Sequence, residues 1–416
     1  MRSARLVTTG LAFVLVATSC SDSTEPTPDT ADPGTTSTTA VSRQSDGRLR
    51  IGFLLPRPGD SPLGEGVGAA AELAVQLVND AGGVLGRDVT VHERIEGLTL
   101  TDTQRAIDEL IDVDVDVVIG PTSSLSTIAE LGTMVDSGVL TCSPTASALL
   151  LDDFPDNGLF FRTIPSDSLQ ALALAEQAER TGTRKASVVY FDDAYGRGLA
   201  NAVTDELEAK AIPVAVTRVG AGDDDVRAEA ASALSDRSEV VIVLGDTTSG
   251  PRILAAMGSV LRRDTELAIP DVLVNDGLRG VNPDLMSELP ADLRTAVQGV
   301  GPTATRTFGS EPRGLFATNA YDCATVIALA ALEADSDDPH AIAEQITSVT
   351  NDGSVCRRFS DCASLLEAGL NIDYDGPGGS LDLGEDGDPR QARFDLFTFD
   401  GNGIDTKEAT LVVRRE

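Results

Sequence analysis

The feature that most constrains the fold is a stretch, residues 117–147, in which strand and helix alternate. An apolar run at 117–119 ends in Gly120-Pro121, and a helical pattern then continues to residue 135, shortly before Gly138 stops it. A second short strand, 139–141, leads into Ser-Pro-Thr-Ala-Ser at 143–147. Because a crossover between parallel strands is right-handed, the turns after both strands are expected at the carboxyl edge of one parallel sheet.

Both of these turns are rich in hydroxyl side chains. Ser123 and Ser124 follow the first strand, and Thr145 and Ser147 follow the second. A helix N-terminus exposes unpaired N–H groups and the positive end of the helix dipole, so this edge can bind a carboxylate. Serine and threonine also cap helices at such positions. The local pattern therefore leaves ligand binding and capping open.

The alternation of strand and helix continues on both sides of this stretch. Strands are predicted at residues 50–55, 88–93, 115–119, 186–191, 214–219, 240–244 and 271–275, with helices between them. This pattern predicts doubly wound parallel sheets, and the second βα series begins near residue 167. With 416 residues the chain is long enough for two lobes, and a cleft between lobes is a common place for a small ligand.

The first 48 residues are expected to lie outside the folded domain. Residues 1–20 have the pattern of a signal peptide, with a basic start and an apolar run too short to span a bilayer. Its end, Ala-Thr-Ser-Cys, resembles a bacterial lipobox, in which Cys20 is lipidated and anchors the protein to the outer face of the cell membrane. An ordinary secretory cleavage nearby is the alternative. Residues 21–48, rich in Ser, Thr, Asp and Pro, are expected to form a disordered tether.

Four cysteines follow Cys20. Cys356 and Cys362 lie close together in CRRFSDC, and a disulfide that closes a small loop is expected in an exported protein. Zinc binding is the alternative, but no histidine lies nearby in sequence. Cys142 and Cys323 either pair with each other or stay buried as small apolar residues, because sequence does not show whether their Cα atoms come within reach.

Composition and motifs argue against several classes of function. The formal net charge is −34, the sign opposite to that of a duplex-binding surface, so nucleic acid is not an expected partner. Aromatic content is 4% and tryptophan is absent, which also disfavours base stacking. No nucleophile elbow or metal-ligand spacing appears, and His92 and His340 have no recognisable nucleophile partner. We therefore expect no enzymatic activity, no cofactor and no metal.

Several segments, taken in order, match one known family. They are IGFLLP (51–56), LAVQLVNDAGGVLGRDV (73–89), VVIGPTSS (117–124), SPTAS (143–147), FFRTIPSDSLQALALA (160–175), YFDDAYGRGLANAV (190–203), YDCATVIALAALEA (321–334) and IDYDGPGGSLDL (372–383). Their order and spacing resemble the substrate-binding lipoproteins of ABC importers, in the branch typified by Leu/Ile/Val-binding proteins. The resemblance covers nearly the whole chain after the tether.

The resemblance implies an α/β fold of the type I periplasmic-binding class, with two doubly wound parallel-sheet lobes joined by a three-crossing hinge. The N-terminal lobe is expected at 49–165 and 315–350, and the C-terminal lobe at 166–314 and 351–416. The implied function is a monomeric solute-binding protein that captures a small polar ligand, an amino acid or a related compound, and delivers it to an ABC permease in the membrane. The alternative is a ligand-sensing receptor of the same fold without transport.

The resemblance also implies a set of ligand-binding residues. In the first lobe, Ser123 and Ser124 and the turn Thr145-Ala146-Ser147 would bind an α-carboxylate, since hydroxyls and helix-end N–H groups suit a carboxylate.

In the second lobe, Tyr195 of the YGRG turn and Asp276 would contact the ligand, with Asp276 pairing with an ammonium. The residue types alone also allow Tyr195 to pack at the head of a helix, and Asp276 to cap a turn or pair with Arg279. The chain departs from the family at 245–247, where Gly-Asp-Thr stands in place of a frequent aromatic residue, which favours a more polar ligand than a branched-chain aliphatic one.

Overall fold

The computed structural model describes residues 45–59, 64–220, 222–303 and 314–415. The predicted signal peptide, the lipidation site Cys20 and the predicted tether as far as residue 44 lie outside the described residues. In the described part of the chain, no helix has the length and apolar character that crossing a bilayer requires.

The first part of the chain forms a parallel sheet covered by helices. Its elements are β1 (Arg50–Leu55), α1 (Gly64–Asp80), β2 (Thr90–Ile95), α2 (Leu100–Ile111), β3 (Val117–Ile119), α3 (Ser124–Asp136), β4 (Leu140–Ser143) and β5 (Phe160–Arg162). The strand order is β2-β1-β3-β4-β5, and every neighbouring pair is parallel. Strand β3 is buried along its whole length, as expected for a central strand with helices on both faces.

The next part of the chain repeats this architecture. Its elements are α4 (Asp167–Arg180), β6 (Ala186–Asp192), α5 (Ala194–Ala209), β7 (Val214–Gly220), α6 (Arg227–Ser235), β8 (Val240–Leu244), α7 (Ser249–Arg263), β9 (Asp271–Val274), α8 (Pro283–Ser287), α9 (Ala291–Ala296) and β10 (Val297–Pro302). Strands β6 to β10 pair in parallel, so the carboxyl ends of β6, β8 and β9 share one edge.

The last part of the chain contributes to both sheets. Its elements are α10 (Ala317–Glu333), α11 (Pro339–Ala343), α12 (Ile346–Val349), β11 (Ser354–Cys356), α13 (Phe359–Glu367), β12 (Ile372–Gly376), β13 (Gly379–Ser380), β14 (Gln391–Phe399) and β15 (Asp405–Arg414). The second sheet has the order β15-β14-β10-β9-β8-β6-β7, with β14 antiparallel to β10 and β15 antiparallel to β14. Strands β11, β12 and β13 form a separate small sheet.

One part of the predicted lobe boundaries is wrong. Residues 351–416 were assigned entirely to the second lobe, but Phe359, Tyr374 and Leu383 belong to the hydrophobic core of the first sheet. Their apolar side chains are buried there together with α10, and only from β14 onward does the chain pack on the second sheet. We therefore define lobe 1 as residues 45–162 and 317–383, and lobe 2 as residues 167–303 and 391–415.

Two disulfides cross-link lobe 1. Cys356 and Cys362 are paired as the sequence predicted, with their Cα atoms 5.3 Å apart. Cys142 and Cys323, whose pairing the sequence left open, are also joined, with a Cα–Cα distance of 5.9 Å. This second bond ties the end of β4 to the buried face of α10, so it connects two segments 181 residues apart in sequence.

Candidate ligand-binding site

A cavity of about 280 Å³ lies between the loops that follow the strands of the two sheets. Lobe 1 lines it with hydroxyl side chains that follow β3 and β4, and lobe 2 lines it with residues that follow β6, β8 and β9. The lining residues that bear on recognition are Thr122, Ser124, Thr145, Ser147, Tyr195, Asp246 and Asp276. An adjoining cavity of about 300 Å³ shares Ser124, Tyr195 and Asp246 with it.

The structure brings most of the predicted site residues to these cavities. Ser124, Thr145, Ser147, Tyr195 and Asp276 line the first cavity, and Ser123 lines the adjoining one.

Ala146 is not among the cavity-lining residues. It is fully buried in the turn, where its N–H donates to Ser143 Oγ at 3.0 Å. Ala146 therefore helps to fix the shape of the turn and does not itself line the cavity.

The hydroxyl groups of lobe 1 also stabilise the turns that carry them. Ser123 caps α3, accepting a hydrogen bond from the Ser126 N–H at 3.3 Å, which is the capping role that the local pattern left open. Ser124 Oγ accepts from the Ala148 N–H at 3.3 Å, and Thr145 Oγ1 donates to the Thr122 carbonyl at 2.7 Å. These two bonds join the turn after β3 to the turn after β4.

Backbone packing leaves no room for a side chain at the first of these turns. Gly120 has φ +110°, and a Cβ there would lie 2.1 Å from the Leu54 carbonyl oxygen. Any other residue would be strained and would collide with β1, so glycine allows the turn to approach the neighbouring strand closely.

A carboxylate of the protein itself occupies the start of α3. Glu96, which directly follows β2 and is 8% exposed, accepts from the Thr122 N–H at 2.8 Å and the Ser123 N–H at 3.0 Å. It also accepts from the Thr122 hydroxyl. Ser123 is the N-cap of α3 and Thr122 precedes it, so an internal anion lies at the helix end that attracts anions. Sequence reasoning missed Glu96, because its only local signal is an acidic residue after a predicted strand.

On the opposite wall, a tyrosine and two polar side chains form a buried network. Tyr195 donates its hydroxyl to Asp276 Oδ1 at 3.4 Å and accepts from Asn275 Nδ2 at 3.0 Å. Asn275 Oδ1 in turn accepts from the Gly245 N–H at 3.0 Å, which connects the loops after β8 and β9. Burial, followed by the charge of Asp276, raises the pKa of Tyr195 well above its usual range. Burial also raises the pKa of Asp276.

A second buried carboxylate, which sequence reasoning did not single out, lies beside this network. Asp167 is the first residue of α4 and is 1% exposed, and its N–H donates to the Ser147 carbonyl at 2.8 Å. The Ser147 hydroxyl hydrogen-bonds its carboxyl group. Burial, followed by the nearby charge of Asp276, raises the pKa of Asp167 well above its usual range. In sequence, Asp167 gives only the signal of an acidic helix start.

A fully buried arginine holds the turn after β4 in place. Arg162, at the end of β5, donates to the Ala146 and Ala148 carbonyls at 3.3 and 3.2 Å. Its remaining N–H groups donate to Asp388 at 2.6 and 2.5 Å and to Asp152. The charge of Arg162 is thus neutralised by Asp152 and Asp388 inside the protein. The guanidinium supports the turn and is not among the groups that line the cavity.

Comparison with known proteins agrees with this architecture. The sequence profile of a family described as periplasmic binding protein matches residues 48–364. The chain belongs to the periplasmic binding protein family. The predicted family and fold class are confirmed, and so is the prediction of a solute-binding protein.

Individual relatives have low sequence identity to this chain, but the similarity covers most of its length. The chain is 28% identical to the chemotactic signal transduction system substrate-binding protein BasB of Halobacterium salinarum, over 80% of this chain and 83% of that one. It is 27% identical to the leucine-, isoleucine-, valine-, threonine- and alanine-binding protein of Pseudomonas aeruginosa, over 68% and 77% of the two chains. The fold is similar to that of a leucine-binding protein of Thermotoga maritima, with a TM-score of 0.68 and 20% identity over 87% and 98% of the chains.

The basic residue that lines the cavity in the described part of this binding protein is already paired. Arg279 lines the cavity, but it donates to Asp395 at 2.9 Å and to the Pro302 carbonyl at 3.0 Å. It also lies 3.5 Å from Asp405, and its guanidinium does not form the ion pair with Asp276 that the sequence allowed.

Among the described residues, no group of three or more potential metal ligands is arranged to hold a metal ion.

Asp246 has both a structural role and a place in the cavity wall. Its Oδ1 accepts from the Thr248 N–H at 2.8 Å and from the Ser249 N–H at 2.6 Å at the start of α7. Partial desolvation raises the pKa of this exposed carboxyl group, but the hydrogen bonds outweigh it and lower the pKa, so the group is charged at neutral pH. It occupies the position where the family resemblance led us to expect an aromatic residue.

Proposed function

We propose that this protein binds a small ligand carrying an amino group between its two lobes and delivers it to an ABC importer, without catalysing a reaction. The observation that carries the proposal is the cavity itself, which has hydroxyl groups of lobe 1 on one wall and Tyr195 and Asp276 of lobe 2 on the other. The relative from Pseudomonas aeruginosa is named for binding amino acids, which supports an amino-acid-like ligand.

The arrangement explains how binding would be coupled to closure. A ligand that contacts Ser124 and Ser147 on one side and Asp276 on the other holds the two lobes together, because these contacts exist only when the lobes approach. Ligands shift such hinge equilibria by their different affinity for the open and closed states. The closed form would then be the one that a permease in the membrane recognises.

The test is a double variant, Ser124→Ala with Ser147→Ala, assayed by calorimetry against a panel of amino acids, amines and amides. We expect weaker binding and a small drop in melting temperature in the absence of ligand, since the change also removes the acceptor of the Ala148 N–H and the hydroxyl beside Asp167. The control replaces Ser235 and Ser364, two exposed serines on α6 and α13, by alanine. Equal affinity in the two double variants would refute the site.

Sensing without transport is a second candidate, favoured by one comparison. The relative from Halobacterium salinarum is named for chemotactic signal transduction. Uptake of a labelled ligand by cells with and without this protein separates the two functions. Loss of uptake supports import, whereas unchanged uptake with loss of a behavioural or transcriptional response supports sensing.

Export and anchoring through Cys20 belong to the same proposal. The family description places this class of protein in the periplasm, which agrees with the predicted signal peptide. Replacing Cys20 by alanine should release the protein from the membrane fraction into the medium or the soluble extracytoplasmic fraction, as followed by immunoblotting. Retention of the variant in the membrane fraction would contradict lipid anchoring.

A further inference from the structure

The charges around the cavity are unbalanced. Asp246 and Asp276 line it, and Asp167 lies directly behind, bonded to the cavity-lining Ser147. Among the residues that the structure describes, the two arginines in this region do not offset them, because Arg162 is paired with Asp152 and Asp388, and Arg279 with Asp395 and Asp405. The wall that faces a ligand is therefore acidic.

The anion-binding groups of lobe 1 are also partly used. The N–H groups of Thr122 and Ser123 donate to the Glu96 carboxylate rather than to the cavity. The Glu96 carboxylate therefore lies at the positive end of α3, which reduces the attraction of that helix end for a ligand carboxylate. A ligand carboxylate thus gains less from this helix than the sequence alone indicates.

Two acceptors beside Asp276 lack a donor. Asp167 Oδ2 and Gln170 Oε1 are buried and have no hydrogen-bond partner among the described residues. Gln170 acts on the pKa of Asp276, and the charge of Asp276 acts on that of Asp167, so the three side chains form one cluster. The Gln170 Nε2 group donates to the Val300 carbonyl at 3.3 Å. A protonated amine offers up to three donors and no acceptor, which is the chemistry that such a cluster lacks. A buried acceptor without a donor raises the free energy of the folded protein. A ligand cation that supplies the missing donor would remove this penalty, which adds to its binding free energy.

The adjoining cavity adds an apolar surface. Its walls include Leu125, Ile128, Phe191 and Leu244, and Asp193 and Asp246 lie at its polar side. A chain of methylene groups could lie against the apolar side chains while a cationic end faces a carboxylate. We infer that the preferred ligand is an organic cation, which carries more positive than negative charge and bears a protonated amine on an apolar body, such as a basic amino acid or a diamine. This inference rests on the proposed function of the same cavity.

The experiment uses the full chain purified in detergent micelles and isothermal titration calorimetry with matched probes. Lysine is compared with norleucine, and arginine with citrulline, because each pair keeps the body of the molecule and removes one positive charge. Leucine, glutamate and 1,5-diaminopentane complete the set. We expect each cationic member to bind at least about tenfold more tightly than its neutral partner, as charge-assisted hydrogen bonds allow.

Variants identify the groups responsible. Asp167→Asn and Asp246→Asn should each reduce the preference for lysine over norleucine by about tenfold or more, while Asp80→Asn, an exposed change of the same charge on α1, should leave it unaltered. Asparagine has the shape of aspartate and keeps the oxygen that accepts from the Thr248 and Ser249 N–H groups at position 246, so both variants should fold.

Proton release provides a second readout that a purely structural role would not change. Asp167 faces Asp276, Tyr195, Ser147, Arg162 and Asp152, and burial raises the pKa of its carboxyl group in the empty site. A ligand cation favours the ionised form and should expel a proton, which appears as a dependence of the binding enthalpy on the buffer. The dependence should be smaller in Asp167→Asn.

The possible outcomes separate the two proposals. Equal or tighter binding of norleucine, citrulline, leucine or glutamate would overturn the cation preference and keep the binding function. The absence of binding by every probe, including the neutral and acidic ones, would refute the binding function together with the preference. Cation preference that persists in both aspartate variants would remove Asp167 and Asp246 as its source.

Discussion

Asp322 makes the stability of lobe 1 dependent on pH. This residue lies in α10, is fully buried, and accepts hydrogen bonds from the Tyr374 hydroxyl and the Gly378 N–H, both at 2.8 Å. Burial raises its pKa from 3.8 to about 8, and the two hydrogen bonds offset only part of that effect. The carboxyl group is therefore largely protonated at neutral pH in the folded protein, whereas in the unfolded chain it is ionised.

The sign and size of the effect follow from this difference. An acid whose pKa is raised in the folded state stabilises that state fully below its unfolded pKa, and the contribution is lost as the pH rises through the folded pKa. A shift of about four pKa units corresponds to roughly 6 kcal/mol at about 1.4 kcal/mol per unit. The free energy of unfolding should thus fall between about pH 4 and pH 8, by up to that amount, and level off above pH 8.

Urea unfolding followed by circular dichroism between pH 5 and pH 9 measures the effect. The variant Asp322→Asn keeps the shape of the side chain and removes its titration, so the difference in unfolding free energy between the two proteins should change by several kcal/mol over this range. Asp80→Asn, in which the carboxylate is exposed, serves as the control. A difference between wild type and Asp322→Asn that stays constant from pH 5 to pH 9 would refute the assignment of the pH dependence to Asp322.

Two further predictions concern the cross-links and the buried arginine. The bond between Cys142 and Cys323 spans 181 residues, whereas the bond between Cys356 and Cys362 spans only 6. Because a disulfide constrains the unfolded chain more when its loop is longer, replacing the first pair by alanine should lower the unfolding free energy by about 5 kcal/mol, and replacing the second pair by about 2 kcal/mol. Urea titration measures both losses, and the opposite order would contradict the loop argument. Replacing Arg162 by methionine leaves two buried carboxylates and should cost about 3–5 kcal/mol in the same assay. A loss below about 1 kcal/mol would show that the pairs are dispensable.

The overall fold could be predicted from the sequence because its central strands are continuous runs of buried apolar residues. Strands β1 and β8 begin and end at the predicted residues. Strand β15 was missed, since seven of its ten residues are exposed and its only apolar run, at 411–413, lies at its end. The location of residues 354–383 was missed for another reason. A strand or helix pattern shows that a segment folds, but it does not show which of two cores its apolar face joins.

The candidate site was predicted only as far as local patterns reach. Hydroxyl-rich turns pointed to Ser124 and Ser147, and the family resemblance implied Asp276; all three line one cavity. The residues that were missed act over long sequence separations. Glu96 contacts a turn 26 residues away, and Arg162 contacts a carboxylate 226 residues away. A sequence segment as short as one strand or one helix does not contain both partners of either pair.

Capping and ligand binding, which the sequence presented as alternatives, are compatible in the structure. Ser123 caps α3, and Glu96 accepts from the N–H groups of Thr122 and Ser123, so groups of the protein itself satisfy donors at this helix start. The same arrangement places a negative charge where a ligand carboxylate was expected. In lobe 2, Asp246 caps α7 and still presents a carboxylate to the cavity. The residues that stabilise the loops therefore also set the charge of the site, which is why a preference for cations can arise from side chains that sequence analysis assigns to helix ends.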